Sequence, residues 1–203
     1  MSQTRITVAV LGDSISAGNP GWDPNPALRE REGDDPQSQY VYWAARLDPR
    51  LHFNNFGVGG ETVQQIAARL EKSVVGAEVL VVQGGINDIV QGLPLDMAAE
   101  ELSRMVARGQ ELGLGVVIAD VLPWNRGWPG AEPKIRRLNA LIAEIAAAAE
   151  IDMLHFHDTL EDPDLPGRMK PEWTADGNHP SVEGHRRLGE LAFHLPRDWE
   201  LKR

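Results

Sequence analysis

Short stretches that are apolar at nearly every position constrain this chain most. Val79-Leu80-Val81-Val82 and Gly115 to Ala119 show no alternation of apolar and polar residues. A strand with one wet face reads with a period of two, whereas an unbroken apolar run fits a strand covered on both faces, as in a parallel sheet. Between such runs the apolar residues recur at helical spacing. Val63, Ile66, Ala67 and Leu70 form one face, opened by Thr62 with Gln65 as a capping box. Leu95, Ala98, Leu102, Met105 and Val106 form a second, stopped at Gly113, and Ile135, Leu138, Leu141, Ile142 and Ile145 a third. Ile6–Leu11, Leu51–Phe56 and Ile151–Phe156 read as further strands; Tyr40–Leu47 and the segment holding Val182, Leu188 and Leu191 read as helices. Strand and helix therefore alternate along the chain, the pattern of an α/β fold with a mostly parallel sheet between two helical layers.

No internal repeat and no linker interrupts the 203 residues, so the expectation is a single domain over 1–203. One stretch, about 20–38, is rich in Pro, Asp, Glu and Arg and is too long for a minimal strand-to-helix connection. It reads as an inserted surface loop. The formal charge of -10 argues against a nucleic-acid partner, and the absence of cysteine removes thiol nucleophiles, disulfides and cysteine metal sites. No apolar run is long enough for a membrane span. The first strand follows Met1 within a few residues without a basic and then apolar leader, so a cytoplasmic location is expected.

In a parallel sheet, ligands bind beyond the carboxyl ends of the strands. The unusual polar sequences fall there. The first strand runs into Gly12-Asp13-Ser14, the second into Asn54 to Thr62 with Gly57, Gly59 and Gly60, and the third into Gln83-Gly84-Gly85-Ile86-Asn87-Asp88. Asp176-Gly177-Asn178-His179 precedes the last helix. With strand order 2-1-3-4-5 the first three loops are neighbours, and the segment from His157 to Gly177 can return the fourth over them. Together they hold a hydroxyl, an imidazole, a carboxylate, a carboxamide and glycine N–H groups. Acyl transfer needs that set: a base for a serine hydroxyl, a carboxylate to orient the base, and donors for an oxyanion.

These four blocks, "GDS", "GGE", "GIND" and "DGNH", resemble in order and spacing those of the SGNH (GDSL-type) hydrolases, from Gly12 to about Leu191. Each alone recurs by chance; together they form a strong signal. The one departure is Ile15, where the family has Leu. The resemblance implies a flavodoxin-like three-layer α/β/α sandwich with a five-stranded parallel sheet. It implies an esterase or acylhydrolase working through an acyl-serine, with no cofactor and no metal. It places the nucleophile on Ser14, the acid and base on Asp176 and His179, and the oxyanion donors on Ser14, Gly60 and Asn87. The expected partner is a small-molecule ester.

Other residues have plainer readings. Ser16 and Asp13 read as structural parts of the turn, Gly57 and Gly59 as conformational glycines, and His52, His185 and His194 as surface or helix-face residues. His155 and His157, two apart at a strand end, could share a metal, but spacing supplies no third ligand, and a solvent-facing loop edge is the stronger reading. A metal-dependent phosphoesterase would need Asp-x-His after the first strand, where Asp13-Ser14-Ile15 stands, and an acidic residue after Gly-Asn-His, where Pro180 stands. A binding module that had lost catalysis fits poorly with every expected catalytic residue in place. Trp22, Trp124, Trp128 and Trp173 are candidates to line the cleft. The substrate expected is a short acyl group, with acetyl as one case, on a carbohydrate or small alcohol; lysophospholipase or thioesterase activity on longer chains is the alternative.

Overall fold

The computed structural model describes residues 4–197. Five strands, β1 (Ile6–Gly12), β2 (Leu51–Gly57), β3 (Val79–Val82), β4 (Gly115–Ala119) and β5 (Asp152–Leu154), pair in parallel in the order β2-β1-β3-β4-β5. The helices are α1 (Ser14–Ala17), α2 (Arg29–Glu32), α3 (Tyr40–Leu47), α4 (Val63–Ala67), α5 (Leu70–Ser73), α6 (Ile86–Val90), α7 (Leu95–Glu111), α8 (Ala131–Ala148), α9 (Phe156–Leu160) and α10 (Val182–Arg187). The expected flavodoxin-like α/β/α arrangement is the observed one.

Side-chain alternation along the strands divides the core in two. Ala9, Leu11, Leu80, Val82, Val116 and Ile118 face a cluster with Ile66, Leu102, Ile135 and Leu138 from α4, α7 and α8. Val8, Val10, Val79, Val81 and Val117 face Tyr40, Val41, Phe156 and Leu188 in the other layer. Both faces of the central strands are thus sealed, which is why their sequences carry no polar alternation. All five carboxyl ends point to one edge, where the polar loops emerge.

Four parts of the chain differ from the sequence reading. The helix opened by Thr62 breaks after Ala67 and restarts at Leu70, because Arg69 turns its guanidinium inward to the carbonyls of Phe56 and Gly12. The fifth strand ends at Leu154, two residues early, where the carboxylate of Asp120 accepts the His157 N–H at 2.7 Å and α9 begins. After α9 comes an antiparallel pair, β6 (Glu161–Asp162) and β7 (Leu165–Met169), inside the segment read as a return connection. Residues 20–38 hold two short 3-10 turns and α2 rather than one extended loop.

Candidate active site

The turn after β1 is fixed by hydrogen bonds to its own residues and to Gln83, the first residue after β3. Asp13 accepts the Ile15 N–H at 2.9 Å, and Gln83 Oε1 accepts from the Asp13 N–H at 3.1 Å and the Ser16 hydroxyl at 2.8 Å. Ser16 is fully buried against Gln83 and Tyr40. Burial pushes the Asp13 carboxyl above its usual range, with the Ile15 N–H opposing the shift. Ser14 points elsewhere: its Oγ stands 3.0 Å from Nε2 of His179.

The loop carrying His179 folds on itself. Asp176 Oδ1 accepts the N–H groups of Asn178 and His179, each at 2.8 Å, and its Oδ2 lies 2.8 Å from His179 Nδ1. Partial burial pushes the Asp176 carboxyl up, but these bonds from His179 and Asn178 outweigh it and hold it below the ordinary value. Thr174 Oγ1 closes the loop by donating to the His179 carbonyl and accepting the Gly177 N–H. The turn needs a left-handed residue, and Gly177 supplies it at a φ of 86°. Trp124 Nε1 donates to Asn178 Oδ1 at 2.7 Å, tying this loop to the end of β4.

The loops after β2 and β3 hold each other. Asn87 Nδ2 donates to the Glu61 carbonyl at 2.9 Å, Asp88 accepts the Val63 N–H at 3.0 Å, and the Glu61 carboxylate pairs with Arg69 at 2.6 Å. Gly60 has a φ of 82° and open space around it, and no hydrogen bond takes up its N–H or that of Ser14 among the described residues. Gly57 and Gly59, read from sequence as conformational, lie outside the left-handed region and serve close approach. A Cβ on Gly57 would stand 2.2 Å from the Ala17 nitrogen, and one on Gly59 would stand 2.8 Å from Asn19 Oδ1. Sequence reasoning passed over Gln83, Arg69, Asn178 and the positioning part of Glu61. For Gln83 and Glu61 the signal was their place within the polar strand-end blocks.

The tryptophans separate. Trp124 lines a small cleft of about 10 Å³ with Ile15, Gln83, Ile86, Leu122 and Asn178. Trp128 packs edge-on against Trp124 at 5.4 Å and is partly exposed. Trp22 is stacked under the Arg29 guanidinium at 3.7 Å, and Trp173 sits against Arg187 and Lys170 while packing on the second core cluster. A larger cavity of about 610 Å³ lies at the opposite end of the sheet, against Glu78, Gly115 and Asp152. The histidines also sort: His52 is exposed and His194 half-buried, while His185 lies on α10, as the helix-face alternative has it, with its side chain fully buried rather than at the surface. Its side of α10 faces the molecule, with burial and then His179 driving the ring pKa down to about 3.

A parallel α/β/α sandwich whose loops bring a serine, an imidazole and a carboxylate within hydrogen-bond distance of one another has the arrangement of a serine hydrolase. The sequence profile of the GDSL-like Lipase/Acylhydrolase family matches residues 10–187, and the chain belongs to that family. Solved structures agree in fold. A protein assigned to the G-D-S-L lipolytic family from Desulfitobacterium hafniense superposes with a TM-score of 0.75 at 20% identity, covering 92% of this chain and 97% of that one. A GDSL-like lipase from Bacteroides thetaiotaomicron gives 0.71 at 21% identity over 91% and 84% of the two chains. An acetyl-xylooligosaccharide esterase variant from Geobacillus gives 0.71 at 20% identity over 93% of each. No curated protein sequence gives a match. Among the described residues no helix is long and apolar enough to cross a membrane.

Proposed function

We propose that the protein hydrolyses short-chain carboxylic esters, acetyl esters of a carbohydrate or small alcohol among them, through an acyl-serine on Ser14. The observation that carries this reading is the unbroken relay from Asp176 through His179 to Ser14, at 2.8 Å and 3.0 Å. Ser14 Oγ attacks the acyl carbonyl carbon as its proton passes to His179 Nε2. Asp176 holds the Nδ1–H and stabilises the imidazolium. The N–H groups of Ser14 and Gly60 and the carboxamide of Asn87 receive the oxyanion. Collapse of the tetrahedral intermediate breaks the bond to the alcohol, which leaves with the proton from His179. Water, deprotonated by the same imidazole, then releases the acid and restores Ser14.

Support for a short acyl group comes from the cleft beside Ile15 and Trp124. It is narrow and walled by the apolar side chains of Ile15, Ile86, Leu122 and Trp124. Trp128, packed edge-on against Trp124 and exposed, offers the alcohol side an aromatic ring of the kind on which sugars stack. A series of p-nitrophenyl esters from acetate to decanoate, followed by acetylated oligosaccharides, tests the assignment. The expected result is kcat/KM highest at acetate and falling steadily with chain length. A maximum at eight carbons or more (about the length that buries several methylenes) would instead support lysophospholipase or thioesterase activity.

A further inference from the structure

A second cluster of polar side chains lies away from the relay, where α8, α9 and the β6–β7 pair meet. Glu132 stands in the first turn of α8, His157 in α9 and Glu161 in β6, and one ligand-type atom of each lies within 4.8 Å of the others. His157 is only 3% exposed, and its Nε2 has no hydrogen-bond partner among the described residues. Its Nδ1 is 3.6 Å from Asp158, outside hydrogen-bond range. Both carboxylate oxygens of Glu132 are buried; Oε1 is ion-paired with Arg136 Nε at 2.6 Å, whereas Oε2 has no partner among the described residues. Leaving such atoms unsatisfied is costly, so the arrangement calls for a further partner.

We propose that Glu132, His157 and Glu161 bind a divalent cation of the zinc class, clamping the β6–β7 pair to the start of α8. Two carboxylates with one imidazole suit a borderline transition metal better than Ca²⁺ or Mg²⁺, which favour oxygen ligands alone. Bonds of about 2.0–2.2 Å on each side of the ion span ligand separations of the observed order. The surroundings fit as well. Glu161 Oε1 is held by the Gly167 N–H and Arg136 Nη2, each at 2.6 Å, which orients the carboxylate for a ligand on its other oxygen. Gly167 has a φ of 80°, and a Cβ there would stand 2.7 Å from Glu132 Cδ, so the backbone leaves room for the carboxylate. With Asp158 nearby, the carboxylates outnumber Arg136, leaving negative charge for a cation to neutralise. The site explains what the sequence pattern around His157 lacked: its other two ligands come from 25 positions earlier and four positions later, in other elements.

Equilibrium dialysis of the untagged, EDTA-treated protein against Zn²⁺, with thermal melting alongside, tests this. One Zn²⁺ should be retained by the wild type and by His179→Ala, and lost from Glu132→Gln and His157→Gln. In the first two proteins, Zn²⁺ at a hundredfold excess over Kd should raise Tm by about 5 °C, with no rise from Mg²⁺. Retention in His157→Gln, loss in His179→Ala, or a Kd weaker than about 100 µM would overturn the proposal. If both substituted proteins fail to fold, the Zn²⁺-dependent Tm of wild type and His179→Ala still decides, and no rise overturns it.

Discussion

Nε2 of His179 stands 3.0 Å from Oγ of Ser14, two residues 165 positions apart joined at one edge of a parallel sheet. Each is held by its own support. Gln83 and Asp13 hold the turn that presents Ser14, and Asp176 holds the ring that meets it. The proposed chemistry is therefore a property of the loops after β1 and β3 and the loop before α10 together rather than of one motif.

Asp176→Asn keeps an acceptor for the N–H groups of Asn178 and His179 but cannot accept the Nδ1–H through its amide nitrogen. It should lower kcat by roughly 10²–10⁴ with little change in KM. Steady-state kinetics on p-nitrophenyl acetate check this, with circular dichroism to confirm an unchanged fold. A variant with full activity would remove Asp176 from the relay.

Asn87 already donates one hydrogen bond to Glu61, and its second amide hydrogen is the one assigned to the oxyanion. Asn87→Ala should reduce kcat by roughly 10²–10³. An effect confined to KM would mean that Asn87 only binds substrate or braces the Glu61 loop.

His185 links the fold to pH. The buried ring, with both nitrogens lacking hydrogen-bond partners among the described residues, resists protonation until about 3. In the unfolded chain it takes a proton below about 6.5. Between those values the unfolded state binds more protons, so stability is full above about 6.5 and is lost as pH falls. The slope is up to about 1.4 kcal/mol per pH unit from this group. His185→Leu should flatten the dependence of Tm on pH between about 7 and 5. An unchanged slope would assign the acid sensitivity to other groups.

Much of this was legible in the sequence because the relevant patterns are local. Val79–Val82 announces a strand covered on both faces by its lack of alternation, and the glycine-rich blocks sit where such strands end. What stayed hidden depends on contacts made across the fold. The break after Ala67 comes from Arg69 reaching carbonyls of β1 and β2, and the early end of β5 from Asp120 capturing the His157 N–H. The burial of His185 depends on which face of a short helix meets the core, and six residues of α10 contain too few apolar positions to define it. Likewise, no spacing rule joins Glu132 to His157 and Glu161, since α8 and β6 become neighbours only in the folded chain.

The central claim is that Ser14, activated by His179, is the nucleophile, and covalent labelling tests it most directly. The wild type is treated with a serine-directed fluorophosphonate, and the intact mass and peptide map are read alongside residual esterase turnover. The account predicts one adduct, on Ser14, with complete loss of turnover, and neither labelling nor turnover in a folded Ser14→Ala variant. An adduct on Ser16 or elsewhere that silences the enzyme, or near-normal turnover by Ser14→Ala, would contradict it.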